Sequence, residues 1–276
     1  MPSAGVGAGL LSALSFGAGD FAGAVASRRA GALVVVAGAH GIGLVALLLA
    51  AFWVGPPIPA PGTIGVGLLA GVAGAAGLAA LYRGMSLGSM GLVTALSGVG
   101  SLAIPLAAGA IVGARVSELQ LLGVGCAAAA GMAASGASRT ELGRQALLLA
   151  AAAAVSFGTW YVLIDVAASG GDPLWALVLS RAASAGLTAL FAVRRFRREG
   201  FPLRIVAAAG LLDVGGNAFY VVARDLLPIG LAAALTGLYR IVTMLMARVL
   251  LGERLPRLGQ LGVALALAGI VLISLG

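Results

Sequence analysis

Apolar runs of about twenty residues follow one another along the whole chain, broken by short stretches rich in proline, glycine or arginine. They fall at about Val6–Ala26, Leu33–Val54, Ile64–Met85, Gly91–Val112, Leu119–Ala137, Ala146–Ala167, Leu174–Val193, Leu203–Arg224, Ile229–Leu250 and Leu258–Leu275. A helix needs roughly twenty mainly apolar residues to cross the hydrocarbon of a bilayer. The pattern therefore predicts an all-α membrane protein with ten transmembrane helices. The breaks are turn-like: Pro56-Pro57-Ile58-Pro59 after the second run, Gly170-Gly171-Asp172-Pro173 after the sixth, and Gly252-Glu253-Arg254-Leu255-Pro256 after the ninth. In the first run, Ala24-Val25-Ala26 has the look of a signal-peptidase site. No basic residue precedes that run, however, and Asp20 interrupts it, so a retained helix is expected.

The two halves repeat one another. Leu14-Ser15-Phe16-Gly17 returns as Val155-Ser156-Phe157-Gly158. Residues Gly91–Val124 laid on Gly230–Val263 match at roughly 13 of 34 positions, where about 4 or 5 are expected by chance. The polar stretch Ser138–Arg144 lies between the copies, giving units of residues 1–138 and 139–276. Five spans per unit is an odd number, so the second copy enters the membrane from the opposite side. Inverted five-helix repeats of this kind place a binding site at their interface, near the membrane midplane.

Composition narrows the class. Hydrophobic residues make up 61% of the 276, charged residues 9%, and the mean hydropathy is +1.11. Ten spans with their turns leave no room for a soluble domain within these residues. The net charge of +8 comes from arginine alone, because the chain contains no lysine. A phosphate-binding Gly-Lys-Ser/Thr loop is therefore absent, which excludes direct ATP coupling within this chain. The largest basic cluster, Arg194–Arg204, sits between two spans, so it reads as an orientation signal and a contact for anionic lipid headgroups, not as a nucleic-acid site. With one cysteine, Cys126, and one histidine, His40, neither a metal site nor a cofactor is expected. Arginines crowd the connections after odd-numbered spans, which by the positive-inside rule makes those connections cytoplasmic and puts both termini outside.

Against this apolar background the charges within spans stand out. An Asp or Arg at the centre of a spanning helix costs roughly 2.5–3.5 kcal/mol on insertion scales. Such groups must face inward, pair, or be wetted. In the eighth run Asp213, Asn217, Tyr220 and Arg224 share one helical stripe, and in the ninth so do Thr236, Arg240 and Thr243. Asp213 and Arg240 are the natural ion pair of this reading. Arg181, with Ser184 and Thr188, forms a third polar stripe, and Asp20 lies on a small-residue face of the first span. The candidate substrate-path or coupling residues are thus Asp20, Arg181, Asp213, Asn217, Tyr220 and Arg240. His40, Arg83, Trp160, Thr236 and Thr243 are weaker candidates: the histidine also suits plain packing, Arg83 suits snorkelling to the interface, and the tryptophan suits packing.

These features resemble the EamA family of the drug/metabolite transporter superfamily. The likeness is carried by Tyr239 on the ninth span, Gly252-Glu253-Arg254-Leu255, and Gln260-Leu261-Gly262-Val263 opening the last helix. The fourth span repeats a weaker form with Pro105, and Gly19-Asp20-Phe21 with Leu212-Asp213 and Asn217 is similar to one branch. The chain departs from the family pattern at Arg240, where a proline is usual, and at Ala114, where the first copy usually has glutamate. The usual family orientation, with termini inside, is opposite to the arginine bias, so the topology stays open. The resemblance implies export of amino acids, drugs or related small metabolites.

Proton coupling through Asp20 or Asp213 and uncoupled facilitated diffusion are both compatible with these residues. Two further classes are weighed: a channel or structural membrane partner, and an intramembrane hydrolase. Only Ser135 with His40 offers a nucleophile and base for the latter, and they sit at different depths. The expected reading is a small-molecule transporter of the cytoplasmic membrane and not an enzyme. The oligomeric state has no signal in the sequence.

Overall fold

A computed structural model describes residues 2–88, 90–111, 117–137, 143–194, 200–227, 232, 235–254 and 257–275. They form ten helices: α1 Pro2–Ala30, α2 Ala32–Val54, α3 Pro61–Leu87, α4 Met90–Ile111, α5 Glu118–Ala137, α6 Gly143–Ser169, α7 Pro173–Ala192, α8 Leu203–Leu226, α9 Tyr239–Leu251 and α10 Arg257–Leu275. No strand occurs among the described residues. Six of the helices, α1, α2, α3, α6, α7 and α8, are long and apolar enough to cross a membrane; apolar stretches of α4 and α10 are shorter. The midpoint linker residues 138–142, Arg115, and Arg195, Arg197 and Arg198 of the basic cluster lie outside the described residues. Arg194 and Arg204, which flank the gap in that cluster, are exposed.

The helices end where local chemistry requires. Pro61 and Pro173 occupy first-turn positions of α3 and α7, where a missing N–H costs nothing. Asp172 accepts the Leu174 N–H at 2.8 Å and caps α7. Gly252, at φ 68°, ends α9 in the left-handed region that a side chain resists, and turns the chain back so that Glu253 reaches α4.

Burial is inverted relative to a soluble domain. Phe52, Trp53 and Ile111 are 87%, 90% and 86% exposed, while Ser12, Ser101, Ser184, Thr188, Arg240 and Thr243 are buried. Large apolar side chains outside and polar ones inside suit a body surrounded by lipid.

Most helix pairings exchange when each helix is replaced by its counterpart in the other copy. The pairs α1–α8 and α3–α6, α1–α9 and α4–α6, and α2–α8 and α3–α7 correspond in this way, while α2–α7, α4–α9 and α5–α10 join counterparts directly. Matching glycines make the closest backbone-to-backbone approaches among the described residues. A Cβ on Gly71 would lie 2.2 Å from the Ser180 carbonyl oxygen, and one on Gly210 would lie 2.3 Å from that of Ala39. Laying one copy on the other brings Gly71 onto Gly210 and Ala39 onto Ser180. Small residues at these points let backbones touch, which is how helices pack where lipid removes the hydrophobic driving force.

Candidate functional site

The charged side chains of the spans gather at one place, where α1, α2, α7, α8 and α9 meet. Arg181 of α7 forms an ion pair with Asp213 of α8, Nη2 to Oδ2. Its Nη1 reaches His40 Nε2 on α2, and His40 Nδ1 contacts Ser184 Oγ. A guanidinium only donates, so Nε2 must accept. The imidazole proton therefore sits on Nδ1, donated to Ser184, and His40 is neutral in this arrangement. Thr188 Oγ1 donates to the Ser184 carbonyl at 2.6 Å and holds the local turn of α7. The result is a relay from carboxylate through guanidinium and imidazole to hydroxyl, spanning three helices. Copy-to-copy superposition of the sequence lays His40 on Arg181, so matched positions of the two halves touch each other here.

Asp20 of α1 is half-buried and within electrostatic range of both Asp213 and Arg240, yet it forms no ion pair among the described residues. Tyr82 of α3 closes the centre from the other side. Its ring lies so close to Gly23 of α1 that a Cβ there would sit 2.0 Å from Cζ.

The Asp213–Arg240 pair expected from the sequence is not formed; Asp213 belongs to Arg181. Helical spacing says which residues share a face, but it does not say which neighbour that face meets. Here α9 packs on α1 and α4, and α1 stands between α8 and α9. Arg240 is instead buried against α4, at 5% exposure, with Gly98 beneath it: a Cβ on Gly98 would lie 1.4 Å from Nε. Its Cζ stands 4.2 Å from the Tyr239 ring centroid. The helix is interrupted beside it. The Leu238 N–H bonds Leu235 O at 3.2 Å, and the Ile241 N–H bonds Leu238 O at 2.9 Å. In an unbroken helix Ile241 would bond Gly237 O; here Arg240 Nη1 approaches that oxygen at 3.5 Å.

The other candidates divide. Asn217 turns back on its own helix, Nδ2 to Asp213 O at 2.8 Å, and so steadies the backbone that carries Asp213. Thr243 joins α9 to α1 through the Gly17 carbonyl at 3.1 Å. Thr236 has a buried hydroxyl with no hydrogen-bond partner among the described residues. Tyr220 packs with Ala8, Ala223 and Ala232, two turns along α8 from Asp213. Trp160 donates to Ser180 Oγ at 3.0 Å on the Gly74 side of α3. Arg83 is exposed at the end of α3, where snorkelling explains it, and is not part of the centre. The Ser135 side chain lies outside the described residues, and His40 is engaged by Arg181 and Ser184. Tyr82 and Gly98 were not legible as site residues. For Tyr82 the available signal was a lone tyrosine in a run of Ala, Gly and Leu beside Arg83.

A part-buried charge relay inside two matched halves, wrapped in exposed apolar side chains, suits a multi-pass membrane protein. The model of the EamA-like transporter family matches the chain twice, over residues 3–135 and 144–275. The chain belongs to that family, within the drug/metabolite transporter superfamily, and is accordingly a membrane transporter of small molecules. One solved structure, titled only as the crystal structure of a protein, aligns with a TM-score of 0.62 at 18% identity. The alignment covers 96% of this chain and 97% of the other, a likeness of fold. No curated protein matches.

Proposed function

We propose that the chain is a secondary transporter that exports small organic metabolites across the cytoplasmic membrane by alternating access. In this reading all ten helices span the bilayer as two inverted five-helix units, residues 1–138 and 139–276. The observation that carries it is the relay of Asp213, Arg181, His40 and Ser184, because it ties α2 of one unit to α7 and α8 of the other. A rocking motion of one unit against the other has to stretch or remake those bonds, which makes them a natural place for substrate to act. Asp20 is the carboxyl assigned to proton coupling, since it faces the same centre without an ion-pair partner among the described residues. Exposed Arg194 and Arg204 flank the arginine cluster assigned to anionic headgroups.

Flux into and out of vesicles, measured for labelled amino acids and small metabolites, tests the proposal. Saturable flux that is lost in Asp213→Asn, in protein that still inserts, is the expected result. In Asp20→Asn the flux should persist but no longer respond to an imposed pH gradient. Non-saturable flux would point to a channel and sink the carrier mechanism. Gradient-independent flux in the native chain would leave the carrier and remove the coupling role of Asp20.

A further inference from the structure

Of the two arginines in the centre, one has an anion and the other does not. Arg181 is neutralised by Asp213. Arg240 is the more deeply buried, yet no carboxylate oxygen lies within 4.0 Å of it among the described residues. Among the described residues its Nε has no hydrogen-bond partner, and Nη1 makes only the long contact to Gly237 O. The face of Tyr239 offsets part of this, since a desolvated cation–π contact stabilises by about 2 kcal/mol. Removing a guanidinium from water costs several kcal/mol. Much of that cost is left uncovered.

Two more orphaned groups stand on the two helices that cross here. Thr94 Oγ1 and Thr236 Oγ1 are the other buried side-chain atoms without a partner among the described residues. Thr94 sits one turn before Gly98, the residue on which Arg240 rests, and Thr236 sits one turn before Arg240 itself. A guanidinium only donates and the two hydroxyls can donate, so an oxyanion suits all three, whereas a cation could engage the hydroxyl oxygens but not the guanidinium, and an apolar ligand none of them. α4 and α9 run antiparallel here, so the two threonines flank Arg240 from opposite sides, with Thr236 beside the interruption of α9 at Leu238; broken helices line the substrate sites of transporters built from repeats.

We infer that Arg240, with Thr94 and Thr236, forms an oxyanion subsite at the α4–α9 crossing, and that the transported molecule carries a carboxylate or comparable oxyanion seated there. The inference rests on the transporter reading and narrows its substrate class. Gly98 is then the residue that lets the guanidinium lie flat against α4, and Asp20, unpaired on the adjacent helix, is placed to meet a positive group at the other end of the same molecule.

The test is thermal unfolding of the full chain, purified free of lipid in an uncharged maltoside detergent. Acetate, benzoate, succinate and phosphate are titrated against chloride at equal ionic strength. Native protein should be stabilised saturably by at least one of the oxyanions. In Arg240→Gln the apparent affinity should fall about thirtyfold or more, because one partner of a buried charged contact is gone. Should Arg240→Gln fail to fold, Thr94→Val and Thr236→Val keep the charge and should each weaken the same anion about fivefold. Arg83→Gln, at the exposed end of α3, should leave it unchanged. Stabilisation by added anionic lipid alone, with none by the soluble oxyanions, would overturn the subsite, as would equal stabilisation of the native and Arg240→Gln proteins. Saturable flux of a neutral or cationic solute that Arg240→Gln carries with an unaltered KM would keep the transporter and discard the oxyanion. Absence of flux for any solute would instead strike the transporter reading.

Discussion

In the first copy of the repeat Gly71 lies against the Ser180 carbonyl; in the second Gly210 lies against that of Ala39. Gly158 of α6 meets Ser101 O of α4, and its counterpart Gly17 of α1 meets Tyr239 O of α9. The scaffold is thus nearly the same twice. The chemistry is not. Ser101 Oγ donates to Gly98 O at 2.8 Å, while at the matching place in α9 it is Arg240 that approaches Gly237 O, at 3.5 Å. The position matching Asp213 is Gly74, and the one matching Asp20 is Tyr161. Shape was kept in both copies because backbone-to-backbone crossings tolerate no Cβ. Charge, by contrast, is carried by single residues at the centre, and the matched positions hold different ones.

Four sets of substitutions probe that contrast. The largest effect is expected at Asp213→Asn, which strands the Arg181 guanidinium. Loss of about 3 kcal/mol follows for a pair that is mostly buried, together with loss of flux. Thermal unfolding of the variant alongside Asp213→Asn/Arg181→Gln checks it, and a single variant as stable as the native chain would refute the pairing. Next come the matched glycines Gly98 and Gly237. Gly98→Ala collides with Arg240 Nε and should cost about 2–3 kcal/mol. Gly237→Ala meets the Ile270 Cγ2 methyl at 2.9 Å and otherwise only Arg240 Nη1 at 4.0 Å, and should cost less, about 1 kcal/mol. Equal losses at the two would mean that Arg240 is not fixed where it lies. Gly71→Ala and Gly210→Ala, by contrast, should be alike, each about 2 kcal/mol, because each drives a methyl into a carbonyl. A gap between them larger than the effect itself would break the equivalence of the copies. Ser101→Ala should be mildest, about 1 kcal/mol for one hydrogen bond, and should leave oxyanion stabilisation untouched.

Much of the scaffold could be read before any coordinates. Ten apolar runs, the Pro and Gly turns and the repeat of Gly91–Val124 in Gly230–Val263 correspond to the ten helices and their exchanging pairs. These are local or copy-to-copy signals, carried by period and spacing. The pairing of charges was not legible in the same way. Asp213 and Arg240 are both central in neighbouring runs, but α1 lies between their helices, a fact of three-dimensional order that no spacing encodes. His40 read as ordinary packing for the same reason: its partners, Arg181 and Ser184, come from the other copy. The repeat alignment held a clue, since it lays His40 on Arg181, and residues matched across a pseudo-two-fold axis meet when they lie on it. The interruption at Leu238 was invisible, because no proline stands there and the run continues apolar on both sides.

One feature at the membrane edge follows the same unequal pattern. Glu253 accepts the N–H groups of Met90 at 3.0 Å and Gly91 at 3.3 Å, so it fastens the strap after α9 to the opening turn of α4. The matching residue in the other strap is Ala114, and a methyl has nothing with which to hold an N–H. The carboxylate that makes this contact is thus present in the second copy of the sequence and replaced in the first. Those two charged hydrogen bonds tie the end of one helix to the start of another, so any sliding of α9 along α4 has to break them before it can begin.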